Sequence, residues 1–148
     1  MTIRQATDAD VASIAALRRR WIEEDTGETI DDPDFEAGFA TWWGKEQSRR
    51  VFWVAELHTT VGFISLVEVD RMPEPGSPSS RWGYIGNAFV LPAQRDLGIG
   101  TRLLDAAVGY ARDRGHVRVV LSPGEGAVPF YARAGFDTTD TLMLRKFA

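Results

Sequence analysis

One continuous segment, residues 81–115, constrains the fold more than any other part of the sequence. Its first part, RWGYIGNAFVL (residues 81–91), carries apolar residues on both faces, which is typical of a strand in the centre of a sheet. Pro92 and the bend RDLGIG (residues 95–100) follow, and the bend opens a helix, residues 98–115, whose apolar side chains recur at helical spacing. A central strand that leads directly into an amphipathic helix predicts a sheet covered by helices.

The rest of the chain predicts further strands and helices around this segment. Before it we expect a strand at 2–7, helices at 9–24 and 32–48, strands at 50–57 and 59–70, and a loop at 71–80. After it we expect a strand at 116–122, a short helix at 127–135 and a closing strand or hairpin at 136–147. Asp8 is expected to cap the first helix and Gly27 to end it. This order predicts an α/β fold with a mixed sheet.

Composition narrows the class of protein. The chain has 148 residues, 44% of them hydrophobic, so residues 1–148 are expected to form a single domain with one core. The absence of cysteine excludes disulfides, thiolate zinc sites and a cysteine nucleophile, and it fits a cytoplasmic location. No apolar run approaches the roughly 18 residues of a membrane helix. With a net charge of −4 as well, we expect no membrane partner, no nucleic-acid partner and no metal site.

The charge is distributed unevenly along the chain. Residues 23–36 carry eight acidic side chains and no basic one, so the remainder sums to about +4 (−4 minus −8). If this acidic stretch lines an acceptor site, it favours cationic substrates; otherwise it is solvated surface. The basic run Arg18, Arg19 and Arg20 is expected to be a solvated helix face. Most of the tryptophans Trp21, Trp42, Trp43 and Trp53 are expected in the core, with one or two of them as candidates for the wall of an acceptor pocket.

The bend at residues 95–100 has the features of an anion site. The start of a helix leaves backbone N–H groups without partners at the positive end of the helix dipole, and such a terminus binds phosphate. Gly98 and Gly100 lack a β-carbon and permit close approach, and Arg95, Thr101 and Arg102 lie nearby. The alternative is a helix start whose glycines serve only tight packing. Neither the dinucleotide fingerprint nor the Walker motif is present.

The order of motifs resembles the GNAT N-acetyltransferase superfamily. The resemblance rests on the strand NAFVLP, the pattern Arg-x-x-Gly-x-Gly at residues 95–100, the helix and strand that follow, and FYARAGF at residues 130–136. It implies a single-domain GNAT-like fold with a mixed, mostly antiparallel sheet, flanking helices and splayed central strands. It also implies acetyl-CoA as co-substrate, with the pyrophosphate on the glycine loop and the pantetheine arm between the splayed strands. The residues implied to bind acetyl-CoA are Phe89, Val90, Arg95, Asp96, Leu97, Gly98, Ile99, Gly100, Thr101, Arg102 and Phe130.

Two positions depart from the family pattern. Asp96 stands where the family often has glycine, and Gly124 stands where asparagine is common before the last helix. A carboxylate near a pyrophosphate is unfavourable unless it points to solvent. Neither change removes a backbone donor.

The resemblance also implies direct transfer from the thioester to a primary amine of a small molecule or protein. Tyr131 takes the family's general-acid position, and a backbone N–H near Val90 is the expected oxyanion donor. Glu68 is the acidic candidate for the general base, and Asn87 could instead orient a water molecule. The alternatives are that Tyr131 is a core aromatic residue and that Glu68 is a solvent-facing strand end.

Three classes of function remain open at this point. The first is an acetyltransferase, with a homodimer possible. The second is a non-catalytic sensor module that binds acyl-CoA, which has no need of a proton donor at Tyr131. The third is a structural α/β domain in which the glycine loop stays empty.

Overall fold

The computed structural model describes residues 1–147. Its strands form one five-stranded sheet in the order β1-β2-β3-β4-β5, in which the first four are antiparallel and β5 runs parallel to β4. The strands are β1 (Thr2–Gln5), β2 (Arg50–Glu56), β3 (Thr60–Asp70), β4 (Arg81–Val90) and β5 (Val119–Leu121). The mixed, mostly antiparallel sheet expected from the sequence is confirmed.

Helices cover both faces of this sheet. They are α1 (Val11–Thr26), α2 (Phe35–Glu46), α3 (Ile99–Asp113) and α4 (Val128–Arg133), with short 3-10 turns at Asp8–Asp10 and Pro92–Gln94. Because strand side chains alternate, Val54 and Phe63 pack with α1 and α2, whereas their neighbours Ala55 and Ile64 pack with α3. No helix within residues 1–147 combines the length and apolar character that crossing a membrane requires.

The cap before the first helix is Thr7 and not Asp8 as expected, and it caps the 3-10 turn that leads into α1. The hydroxyl of Thr7 accepts a hydrogen bond from the Ala9 amide, and the Asp10 carboxylate accepts one from the Thr7 amide at 2.8 Å. Asp8, the predicted cap, instead accepts a hydrogen bond from the indole of Trp43 at 3.0 Å and joins α1 to α2. The helix ends at Gly27 as expected, in the left-handed conformation (φ 71°).

Strand β4 extends beyond the end of its parallel neighbour β5, so part of β4 has no partner on that side. Ser65 pairs with Asn87 and Leu66 with Ile85, so Gly86 is an extra residue that forms a β-bulge. β5 pairs with β4 only at residues 83–85. Residues 86–90 therefore continue beyond the end of β5, and a groove opens on that side of β4. This confirms the expected splay of the central strands.

The predicted closing strand at 136–147 is wrong, since residues 137–147 form no strand. Leu142, Met143, Leu144 and Phe147 are exposed there. The alternation of apolar and polar residues had suggested a strand, but a strand needs a partner edge of comparable length, and β5 has three residues. The second helix also begins later than expected, at Phe35, because Pro33 lies in the turn before it.

Candidate active site

The glycine loop presents a row of free backbone amides. Within residues 1–147, the amides of residues 96–101 donate to no other group, and the first amide of the helix to find a partner is that of Arg102, at 3.1 Å from the Gly98 carbonyl oxygen. Gly98 adopts a left-handed conformation (φ 80°) that turns the chain into α3. These amides lie at the positive end of a 15-residue helix. The arrangement fits a phosphate group.

Asp96 also lies in the left-handed region, with φ 63°. Glycine reaches this region at no cost, and aspartate and asparagine tolerate it better than other residues do. This conformation accounts for aspartate at a position where glycine is common. The Asp96 side chain is exposed to solvent.

Arg95 fixes the loop to two other elements. Its Nε donates to the Val90 carbonyl oxygen at 2.9 Å, and its two terminal nitrogens donate to the Glu24 carboxylate of α1 at 2.8 and 2.9 Å. The guanidinium also lies 5.4 Å from the centre of the Phe89 ring. Hydrogen bonds from Arg95 lower the pKa of Glu24, so this pair is charged at neutral pH. Arg95 therefore holds the loop, the end of β4 and α1 together.

A groove of about 160 Å³ runs from the loop along the open side of β4. Its walls come from the sheet, from α3 and from α4. The lining residues are Phe63, Ile64, Ala88, Phe89, Val90, Gly100, Leu103, Leu104, Phe130 and Tyr131. Ile99 is buried below it, and Thr101 and Arg102 are exposed on the first turn of α3. A β-carbon on Gly100 would lie 3.5 Å from the Phe130 ring, so the helix start fits closely against α4.

The backbone of β4 directs polar groups into this groove. The Leu91 amide donates to the Val61 carbonyl oxygen at 2.9 Å, on the β3 side. Because bonded and non-bonded pairs alternate in an antiparallel ladder, the amides of Ala88 and Val90 face away from β3. They face the side on which β5 has ended. An oxyanion in the groove could therefore meet a backbone donor at Val90.

Tyr131 lines the groove from α4. Its ring packs edge-to-face on Phe130 and Phe136, with centroids 5.0 and 5.9 Å apart. Burial raises the pKa of its hydroxyl, so the group keeps its proton at neutral pH. The structure thus brings Tyr131 together with Val90 and the glycine loop.

A second cavity, of about 290 Å³, adjoins the groove and will be called the aromatic cavity. It is lined by Arg18, Phe35, Phe39, Trp42, Phe52, Phe63 and Asn87. Phe35, Phe39 and Trp42 follow the i, i+4, i+7 spacing and form one face of α2. Phe63 lines both spaces, so the cavity and the groove are neighbours.

Arg18 is the residue of this cavity that sequence reasoning missed. It was expected to be solvated, but it is half-buried, and its guanidinium lies 4.6 Å from the centre of the Trp21 ring. The signal was present in the spacing: Arg18 is one helical turn beyond Ile14, which is fully buried. Arg19 is paired with Glu36, at 3.0 Å.

Asn87 and Glu68, the two other candidates for the chemistry, lie in different places. Asn87 lines the aromatic cavity, next along β4 to Ala88 of the groove. Glu68 pairs with Gly83, near the other end of β4, and lines neither space. The structure therefore places Asn87, but not Glu68, where the cavity and the groove border neighbouring residues of β4.

Glu68 is held in a network of ion pairs instead of facing solvent. Its Oε2 lies 2.8 Å from Nε2 of His116, 2.9 Å from Nε of Arg114 and 3.2 Å from Nη1 of Arg81, and Tyr110 donates to its Oε1 at 3.3 Å. Burial alone would raise the pKa of this carboxyl, but the hydrogen bonds from His116, Arg114 and Arg81 outweigh burial and lower the pKa to about 2. A carboxylate held in this way is a poor proton acceptor at neutral pH.

Part of the acidic stretch at residues 23–36 is paired within the protein, and Asp25, Glu28, Asp31 and Asp34 are exposed to solvent. Glu24 pairs with Arg95 and Glu36 with Arg19, and Glu23 accepts a hydrogen bond from the Ile30 amide at 2.8 Å. None of its carboxylates lines the aromatic cavity. Within residues 1–147, there is also no cluster of three or more side chains suited to hold a metal ion.

Comparison with known proteins agrees with this geometry. A curated relative, the uncharacterized N-acetyltransferase MJ1207 of Methanocaldococcus jannaschii, is 41% identical over 61 residues, which are 39% of this chain and 27% of the relative. The chain thus matches about a quarter of the length of that relative.

Solved structures share the whole fold. One is a predicted acetyltransferase from Clostridium acetobutylicum, solved with acetyl-CoA: the TM-score is 0.79 and the identity 24%, over 98% of this chain and 95% of that one. Another is a GCN5-related N-acetyltransferase from Ralstonia eutropha, with a TM-score of 0.76 and 26% identity over 99% and 97% of the two chains.

A model of the acetyltransferase (GNAT) family matches residues 15–136. The match includes α1, the sheet from β2 to β5, the glycine loop and α4. The chain belongs to the GNAT acetyltransferase family.

Proposed function

We propose that this chain is an N-acetyltransferase that moves the acetyl group of acetyl-CoA to an amine without an acyl-enzyme intermediate. The observation that carries this proposal is the continuity of three features: the free amides of residues 96–101, the groove beside β4, and Tyr131 in that groove. Membership of the GNAT family and the acetyl-CoA in the C. acetobutylicum structure support it. Residues 1–148 act as one N-acetyltransferase domain in this proposal.

The glycine loop binds the pyrophosphate in the proposed complex. The amides of Leu97, Gly98 and Ile99 donate to phosphate oxygens, and those of Gly100 and Thr101 complete the cradle. Arg102, exposed on the first turn, adds a positive charge. Arg95 holds the loop in place, while Asp96 keeps the required left-handed backbone with its carboxylate in solvent.

The groove holds the pantetheine arm. Its walls are largely apolar, with Phe89 below and Phe130 on the α4 side. The amides of Ala88 and Val90, which β5 leaves without partners, are available to the amide groups of the arm and to the thioester oxygen. Acetyl-CoA supplies an activated acetyl group whose thioester bond breaks as the new C–N bond forms.

Three groups of this chain carry out the transfer. The Val90 amide stabilises negative charge on the carbonyl oxygen, and Tyr131 donates its proton to the sulfur that leaves. Asn87 orients a water molecule that removes the proton of the attacking amine and passes it to solvent. Glu68 has a structural part here, because its carboxylate is paired with His116, Arg81 and Arg114.

Thiol release and product mass test the proposal. Wild-type protein is incubated with acetyl-CoA and each amine of a panel of amino acids, polyamines, aminoglycosides, aryl amines and peptides. We expect amine-dependent release of free coenzyme A together with an acetylated product. Thermal stabilisation by acetyl-CoA with no turnover on any amine would instead support an acyl-CoA sensor, and no stabilisation would leave a structural domain.

Two further experiments address the possible homodimer and the cytoplasmic location. The exposed apolar side chains of Leu142, Met143, Leu144 and Phe147 favour self-association. Light scattering of the purified protein should give twice the chain mass, and a mass of 16.4 kDa would contradict it. Fractionation of cells that produce the protein should leave it in the cytosol.

A further inference from the structure

We infer that the acceptor amine carries an apolar ring and an anionic group, and that the anion binds Arg18 in the aromatic cavity. This inference rests on the proposed function, because it names the acceptor for the same site. It comes from the charge, the walls and the position of the cavity.

The guanidinium of Arg18 lacks a counter-ion. Within residues 1–147, no carboxylate lies at ion-pair distance from it and no side chain accepts a hydrogen bond from it. Burial lowers its pKa, and the attraction of Asp25 on the same helix opposes this only in part. The group nevertheless stays charged at neutral pH, since an arginine side chain keeps its proton in proteins.

Two neighbouring arginines, Arg19 and Arg50, do have acidic partners. Arg19 is paired with Glu36, and Arg50, which stacks on Trp42 at 4.9 Å, is paired with Glu46 at 2.8 Å and donates to Ser65 at 3.0 Å. A half-buried charge without a partner destabilises the folded protein, and a bound anion would offset that cost. Within residues 1–147, Arg18 and Arg20 of this region have no ion pair, but Arg20 is exposed to solvent, whereas Arg18 is half-buried and lines the cavity.

The walls of the cavity select an apolar ring. Phe35, Phe39, Trp42 and Phe52 present aromatic surfaces, and their rings already pack in tilted and edge-to-face pairs with centroids 5.4 to 6.1 Å apart. A volume of about 290 Å³ lies at the lower end of the range for small-molecule sites. It suits one ring with short substituents and excludes a long polyamine or an aminoglycoside.

The position of the cavity places the amine. Asn87 lines the aromatic cavity and Ala88, the next residue along β4, lines the groove, so the two spaces border neighbouring residues of the strand. An acceptor whose anion pairs with Arg18 on α1 has its other end free to approach Asn87 and the thioester. A cationic substituent at the Arg18 end would be repelled, and the acidic stretch does not line the cavity to offset that repulsion.

The test uses three amines with the same ring: 4-(aminomethyl)benzoate, 4-(aminomethyl)phenylphosphonate and 4-methylbenzylamine, in which a methyl group replaces the anionic group. For the wild type we expect kcat/KM to be about 10- to 100-fold higher with at least one anionic amine, the usual range for a hydrogen-bonded charge. Arg18→Gln should reduce that ratio to near one. Arg20→Gln, on the exposed side of the same helix, is the matched control and should keep the wild-type ratio. The two anionic arms distinguish a carboxylate from a phosphoryl group.

Binding to the protein saturated with coenzyme A provides a readout that needs no turnover. Calorimetry should give a tighter Kd for an anionic amine than for 4-methylbenzylamine in the wild type, and equal Kd values in Arg18→Gln. Equal Kd values in the wild type would overturn the inference, even if other amines are acetylated and the proposed function stands. An Arg18-dependent preference in binding, with no thiol release on any amine, would support the ligand class and contradict the transferase.

Discussion

Arg95 of the glycine loop and Glu24 of α1 form a two-pronged ion pair, with nitrogen–oxygen distances of 2.8 and 2.9 Å. Since Arg95 also donates to the Val90 carbonyl oxygen, this pair connects the phosphate-binding end of α3 with α1 and with the strand that borders the groove. The loop is thus supported from two sides. Its basic side chain is also neutralised by Glu24, so the backbone amides are left as the main donors to an anion.

Removal of the Glu24 charge should strengthen coenzyme binding. Glu24→Gln leaves Arg95 with a hydrogen-bond partner but removes one negative charge beside the proposed pyrophosphate site. We expect the Kd of acetyl-CoA to fall by roughly 2- to 5-fold at low ionic strength, with a smaller change at high salt. Glu74→Gln, in the exposed loop before β4 and thus near the other end of that strand, is the control and should leave the Kd unchanged. Weaker binding by Glu24→Gln would mean that the pair mainly positions the loop.

Two substitutions at Gly100 separate bulk from charge. A β-carbon there makes only an ordinary contact with the Phe130 ring, at 3.5 Å, so Gly100→Ala should fold and bind acetyl-CoA within about 3-fold of the wild type. Gly100→Glu places a long carboxylate at the helix start and should weaken binding at least 100-fold, since it repels the phosphates. Isothermal titration calorimetry measures both. Equal binding by the two folded variants would show that the pyrophosphate lies elsewhere.

Glu68 should contribute to stability in a pH-dependent way. Its pKa is about 2 in the folded protein and near 4.5 when unfolded, so its pairing stabilises fully above about pH 4.5 and is lost as the pH falls towards 2. At pH 7, Glu68→Gln should therefore lower the free energy of unfolding by roughly 1–3 kcal/mol. The loss is limited because Arg81 and Arg114 are partly exposed and their freed guanidinium groups can bind water. Urea unfolding at pH 7, 5 and 3.5 measures the difference.

The difference between the two proteins should narrow between pH 5 and pH 3.5, and a constant difference would contradict the low pKa. The same variant also tests the alternative role of Glu68. A general base contributes about 10²- to 10⁴-fold to the rate, so a Glu68→Gln protein that keeps kcat within about 3-fold is a structural variant. A 100-fold loss in kcat with folding intact would show instead that Glu68 acts as the general base.

The sequence was sufficient for features that local chemistry determines. The glycine loop and the end of α1 at Gly27 depend on nearby residues, and both were predicted. The strand β4 was expected at the centre of the sheet, but β3 lies there and β4 is the fourth strand. The partner of a charged side chain depends on distant segments instead. Glu68 meets Arg114 and His116 across 46 and 48 residues, and no local pattern specifies that contact.

The predictions that failed concern tertiary context in the same way. Arg18 belongs to a basic run that is typical of a solvated face, and only the packing of α2 over α1 half-buries it. The segment 136–147 has the composition of a strand, but strand formation depends on an edge to pair with. The periodicity of apolar residues therefore predicted the helices and strands better than it predicted which segments pack against them.

The most direct test of the account is the rate of acetyl transfer by Tyr131→Phe. This change keeps the ring that packs on Phe130 and Phe136 and removes only the hydroxyl that would protonate the leaving sulfur, whose free thiol has a pKa of about 8.5. With the amine that the wild type acetylates fastest, we predict kcat lower by roughly 10²-fold, together with an unchanged Kd for acetyl-CoA and an unchanged Tm. Equal kcat values for the two folded proteins would contradict the account and leave Tyr131 as a packing residue.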